Sequence, residues 1–151
     1  METTETTTPV LSTLPDANVL VVARLCEEAF SAGDLAVLPE LVNEEFVNFD
    51  SVTNGPDFLR GLISAQRAAF PDMQFTPLQV FVAEDWVITK ARWTGTFRAP
   101  FAFVGLAGVE PTGRPFDVES VHAFRFVNGK ISEHWAVRDD LTMHRQLLGA
   151  G

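Results

Sequence analysis

The sequence predicts an α+β domain in which helices come first and an antiparallel sheet follows. Three observations carry that prediction. Apolar residues recur at helical spacing as far as Phe70. After Pro71 the pattern changes to β-rich runs. Near the end, Asn128-Gly129 sits between two such runs, and this dipeptide is the strongest two-residue hairpin signal.

The elements follow in order. The polar residues 1–14 lack the basic start and apolar stretch of a signal peptide and read as a disordered tail. A single domain over 15–149 comes next. Asp16 can cap a first helix whose apolar face is Val19, Val22, Ala23, Cys26 and Phe30. Gly33 stops it, and Asp34 can cap a second, short helix through Leu41. Glu45 to Phe49 reads as a brief strand. Gly55-Pro56 opens a third helix, with proline in the first turn where its missing N–H costs nothing. Strands are expected over Gln74–Ala83, Trp86–Phe97, Pro115–Val127 and Lys130–Asp140, and a closing helix over Leu141–Leu148. The connection Arg98–Arg114 is long, yet holds Phe101, Phe103, Val104 and Leu106. A loop this long and apolar suits a pocket wall or lid, or equally a plug for the open end of the sheet or a surface buried against a second subunit.

Composition narrows the function. Eleven Lys and Arg against twenty Asp and Glu give a net charge of −9, which disfavours nucleic acid and anionic membranes as partners. No apolar run is long enough to span a bilayer. With one cysteine, Cys26, no intrachain disulfide can form, and Cys26 reads as a small buried hydrophobe in a cytoplasmic protein. Thirteen Phe and three Trp can fill a core and line a cavity. The absence of Tyr removes the phenol as acid or oxyanion donor. His122, His134 and His144 show no metal-ligand spacing, so no metal is expected.

If Asn128-Gly129 is a two-residue loop, Val127 faces Lys130 and Phe126 faces Ile131. Continued one-to-one, Phe124 faces Glu133, His122 faces Trp135, Ser120 faces Val137 and Val118 faces Asp139. Alternation then puts His122, Glu133, Trp135 and Asp139 on one aromatic, inward face, and His134 on the other. A carboxylate on such a face is costly unless paired or used, and an apolar site makes it a stronger base. A β-bulge would shift this register. Asp139 can also cap the closing helix or pair with Arg138 or Arg145. Glu133 can reach solvent, and His122 can be a satisfied core imidazole.

The run Phe124-Arg-Phe-Val-Asn-Gly-Lys-Ile-Ser-Glu-His-Trp135, then Asp139 and Gln146-Leu-Leu-Gly149, resembles the C-terminal signature of SnoaL-like polyketide cyclases. Gly95-Thr96, Pro111-Thr-Gly113 and Ala69-Phe-Pro-Asp72 add to the resemblance. It implies a nuclear-transport-factor-2-like cone, with three N-terminal helices on a curved sheet that encloses an apolar pocket, often as a homodimer. It also implies ring closure by intramolecular aldol condensation, without metal or organic cofactor. Its acid/base aspartate maps to Asp139, with His122 polarising a carbonyl. Trp135, Glu133, Trp93, Phe101 and Phe103 are then candidates to hold a hydrophobic small-molecule substrate. Two positions depart from the family pattern: Phe97 follows Gly-Thr and Phe49 precedes Asp50, where many relatives have histidine. Both phenylalanines become candidate substrate contacts. Epoxide opening and non-catalytic ligand binding or dimerisation are the rival functions.

Overall fold

A computed structural model of the chain describes residues 16–48 and 55–149. The expected tail over 1–14 and the candidate contact Phe49 lie outside the described residues.

Helix α1 spans Ala17–Arg24, and the Asp16 side chain accepts from the N–H groups of Asn18 and Val19. Its continuation, Leu25–Ser31, is a wider π-helical run, in which the Ala32 N–H donates to Glu27 O five residues back. The widened turn places Leu25, Cys26 and Phe30 on the wall of an internal cavity. Asp34 caps a 3₁₀ turn that leads into the short α2, Leu38–Leu41. Strand β1 is Val42–Asn48. Helix α3, Pro56–Ala69, begins with its proline and delivers the fully buried Phe70 at its end.

The sheet comprises β1, β2 (Gln74–Ala83), β3 (Trp86–Thr96), β4 (Pro115–Val127) and β5 (Lys130–Arg138), in the order β1-β5-β4-β3-β2. It is curved and does not close. The α+β fold matches expectation with one difference: β1 pairs parallel to β5, so the sheet is mixed. Hairpin logic reaches only sequence neighbours, whereas β1 meets β5 across most of the chain. Helix α4, Asp140–Leu148, packs beside β4 and ends at Gly149 in the left-handed conformation. Among the described residues no helix is long and apolar enough to cross a membrane.

Phe70 centres an aromatic cluster, with ring centroids 5.0 Å from Phe116, 5.3 Å from Phe101, 5.7 Å from Trp93 and 5.8 Å from Phe97. Gly95 lies against it, since a Cβ there would meet Phe70 Cβ and a Phe116 ring carbon, each at 3.0 Å. Next to Gly95, Thr96 donates its N–H and hydroxyl to the two Asp72 carboxylate oxygens, at 2.8 and 2.7 Å. The glycine, the threonine and the Phe-Pro-Asp helix end are therefore one structural unit.

The loop after β3 is tied at its base by Phe97 N–H to Arg114 O and Gly113 N–H to Phe97 O. Farther out, His144 Nε2 of α4 donates to Val104 O at 2.6 Å. Leu106 is buried in the core, while Phe101, Phe103 and Val104 form part of the cavity wall, as the pocket-wall reading expects.

The β4–β5 register departs from a one-to-one ladder. Val127 pairs with Lys130 and Phe126 with Ile131, but Arg125 pairs with Glu133. Ser132 is the extra residue of a β-bulge. Asn43 of β1 donates its amide to Ser132 Oγ at 2.7 Å and to Val127 O at 3.2 Å, which pins the bulge. From Glu133 onward every side chain of β5 therefore faces opposite to the expected side. The shared inner face of Glu133, Trp135 and Asp139 with His122 is corrected here, as is the outward placement of His134.

Candidate active site

Helices, loop and the concave sheet face enclose a cavity of about 230 Å³. Its walls are mostly apolar. Phe58, Leu59 and Leu62 come from α3, Phe46 from β1, Phe75 from β2, and Phe101 and Phe103 from the loop. Trp93 of β3 also lines it.

Apart from Gln66 of α3, the polar groups gather on the sheet side. Ser120 and His122 alternate inward on β4, and the bulge turns His134 and Arg138 of β5 inward beside them. Asn48 joins them from the end of β1. Ser120 Oγ lies 2.8 Å from His122 Nε2, His122 Nδ1 lies 2.9 Å from His134 Nε2, and His134 Nδ1 lies 3.3 Å from Asn48 Oδ1. The two imidazoles lie nearly coplanar, their planes 16° apart and their centroids 5.1 Å apart, with Phe124 stacked 4.9 Å from His134 and Phe75 edge-on at 5.0 Å from His122.

This setting decides their charge. Both rings keep some surface toward the cavity, yet protein surrounds them. Burial pushes the His122 imidazole well below its ordinary range, and the nearby His134 and Arg138 charges push the same way. Burial, then Arg138, lowers His134 to about 4. The pair is neutral at pH 7. Arg138 lines the same cavity and also donates to Asp140 at 3.3 Å. Burial drives the Cys26 thiol far upward, so it contributes packing rather than a thiolate.

The expected site residues separate into groups. His122, Trp93, Phe101 and Phe103 are on the cavity wall. Phe97 is fully buried in the cluster around Phe70 and does not line the cavity. Glu133 points outward and pairs with Arg125 at 2.8 Å. Trp135 is also on the outer face, its ring 6.5 Å from Trp86. Asp139 is exposed and is the N-cap of α4, accepting from the Thr142 N–H at 3.0 Å. Hydrogen bonds from Thr142 hold its carboxyl below the usual carboxylate range. A carboxylate so placed is a helix cap, not a raised-pKa base. Among the described residues lining the cavity there is no carboxylate. The sequence reading missed His134, Asn48, Arg138 and the part played by Ser120. The signal that would have found His134 and Arg138 is the bulge, which depends on Asn43.

A family model for SnoaL-like polyketide cyclases matches residues 20–147. The aklanonic acid methyl ester cyclase DnrD of Streptomyces peucetius is 30% identical over 126 residues, covering 80% of this chain and 83% of that protein. The aklanonic acid methyl ester cyclase AcmA of Streptomyces galilaeus is 29% identical over 133 residues, covering 85% and 89%. Among solved structures, TsrD from Streptomyces laurentii superposes with a TM-score of 0.78 at 24% identity, covering 88% of this chain and 96% of that one. IdmH from Streptomyces antibioticus superposes at 0.70 with 30% identity, covering 88% and 99%.

Proposed function

The chain belongs to the SnoaL-like polyketide cyclase family, and from that premise we propose that it closes a polyketide ring by aldol-type condensation with His122 as the acid/base group. The observation that supports this choice is the hydrogen-bonded neutral pair His122–His134 in a cavity whose described lining holds no carboxylate. The acid/base role first read onto Asp139 moves to His122 on that ground.

The chemistry asked of the site is modest. A C–H bond flanked by carbonyls is acidic, because the enolate is delocalised over the substrate. His122 Nε2 takes that proton as Ser120 turns aside, the enolate carbon attacks the target carbonyl, and the new alkoxide takes the proton back. His134 accepts from His122 Nδ1–H throughout, which fixes the tautomer and spreads the transient positive charge. The Arg138 guanidinium, which lines the same cavity, favours the enolate. Trp93, Phe101 and Phe103 offer flat faces that hold an extended chain folded for closure.

Two rivals are weighed by the same residues. Epoxide opening by an Asp139-activated water gains nothing from a carboxylate that caps a helix outside the cavity. Non-catalytic binding fits Asp139's placement but leaves the ordered imidazole pair without a purpose. The test is turnover of aklanonic acid methyl ester, the substrate in the relatives' names, followed by chromatography and mass spectrometry. His122→Phe should lower turnover by about 10²–10⁴-fold, while Asp139→Asn should stay within about twofold. The opposite ranking would return the role to Asp139.

We also propose a homodimer through the outer sheet face, where Phe81, Val121 and Val137 are exposed at 58%, 37% and 65%. Val137→Glu should halve the mass seen by light scattering, and an unchanged mass would reject that face. The cytoplasm is the proposed compartment, where the free thiol of Cys26 stays reduced.

A further inference from the structure

We propose that Ser120 is a nucleophile and that the cavity hydrolyses esters with apolar acyl groups, an activity separate from ring closure. The ordering of the hydrogen bonds carries this. With Asn48 Oδ1 facing His134, that oxygen can only accept, so His134 Nδ1 bears a proton. His134 Nε2 is then the acceptor for His122 Nδ1–H at 2.9 Å. That leaves the lone pair of His122 Nε2 for the Ser120 hydroxyl at 2.8 Å. A hydroxyl on Nε2 and an orienting acceptor on Nδ1 is the arrangement by which serine hydrolases activate their nucleophile, recognised by geometry and not by fold. Here a second imidazole, itself held by an amide, stands where those enzymes place a carboxylate.

The surroundings complete the requirements. Ser120 and His122 are two apart on β4 and point to one face, so a regular strand holds them in contact. Arg138 is the direct ladder partner of Ser120, and it too lines the cavity, where its guanidinium can meet an oxyanion. Apart from Asn48 and Gln66, the rest of the wall is apolar or aromatic. The other described serines differ: Ser31 is engaged with the Phe75 backbone, Ser132 with Asn43, and Ser64 is exposed on α3 away from the cavity lining.

The steps balance. Ser120 Oγ attacks the ester carbonyl carbon as its proton passes to His122 Nε2, and the carbonyl π pair moves onto oxygen beside Arg138. The intermediate collapses, breaking the C–O bond, and the alcohol leaves with the proton from His122. Water then attacks the acyl-serine and gives one proton to His122. The acid departs, and that proton returns to Ser120 Oγ.

The experiment uses generic probes, so it does not depend on knowing the polyketide. The intact protein is treated with a fluorophosphonate and, separately, with p-nitrophenyl butyrate. One adduct per chain is expected, mapped by peptide mass spectrometry to Ser120, with slow ester turnover. Ser120→Ala should remove both, with its fold checked by circular dichroism. His122→Asn should slow labelling by about 10²–10⁴-fold. Ser120→Cys gives a second handle, since its thiol should react rapidly with iodoacetamide and lose that rate when His122→Asn is added. No adduct, an adduct on another residue, or a Ser120→Ala protein that labels at the original rate would overturn the proposal. Ring closure is measured on the wild type, where its absence would reject the cyclase reading and leave the labelling result standing. Labelling lost in Ser120→Ala supports the nucleophile whatever happens to closure, and labelling retained rejects it.

Discussion

Replacing His134 with leucine tests the buried imidazole pair from two directions. The substitution removes the acceptor of His122 Nδ1–H, the donor to Asn48 Oδ1 and the stack on Phe124. An N–H left without a partner in an apolar cavity costs about 1–3 kcal/mol, partly offset by the better burial of leucine. A net loss of about 1–2 kcal/mol at pH 7.5 follows. The pH dependence moves the other way. The fold holds His134 neutral down to about 4, whereas the unfolded chain protonates it near the ordinary 6.5. Between those values the unfolded chain binds more protons, so stability falls as the pH drops through the window and flattens below it. At about 1.4 kcal/mol per pH unit, this one ring removes about 3 kcal/mol from the wild type by pH 4. His134→Leu lacks that term. The variant should be the less stable protein at pH 7.5, with the two stability curves crossing at about pH 5. Urea unfolding followed by tryptophan fluorescence, repeated from pH 7.5 to 4.5, reads this directly. A variant whose stability runs parallel to the wild type would show that His134 is not a buried neutral group.

The bulge and the aromatic cluster give further expectations. Asn43→Ala, which removes the amide that holds Ser132 and Val127, should cost about 1–3 kcal/mol in urea unfolding. Although Asn43 does not line the cavity, the same change should lower turnover, because the inward aim of His134 depends on that register. Unchanged turnover at normal folding would detach the bulge from the site. Gly95→Ala should destabilise by about 1–3 kcal/mol, since its methyl group meets Phe70 and Phe116 at 3.0 Å and the cluster must shift. Phe70→Ala should cost about 3–5 kcal/mol, and thermal unfolding by circular dichroism ranks the two.

The elements could be read from the chain because their causes are local. Asp16 and Asp34 cap the helices they precede, and Pro56 starts α3. Asn128 and Gly129 both take positive φ, at 52° and 79°, as a tight two-residue hairpin turn requires. That turn fixes the first two pairs of the β4–β5 ladder, and the regular alternation of β4 then gives the inward faces of Ser120 and His122. The Gly95-Thr96 and Phe70-Pro-Asp72 motifs were visible as a pattern, though their shared role in one packed corner was not.

What the chain could not reveal by itself was settled by contacts between distant residues. The π-helical widening at Leu25–Ser31 looks like ordinary helix by its spacing. The parallel pairing of β1 with β5 joins strands far apart in sequence. That pairing brings Asn43 to Ser132, and the one-residue bulge it stabilises reverses every later side chain of β5. A period of two makes a strand's face depend on a single inserted residue. The sequence thus determined the α+β cone, the aromatic cavity and the inward His122. Only the tertiary structure decided that His134, Asn48 and Arg138 meet it there, while Asp139 is spent on capping a helix.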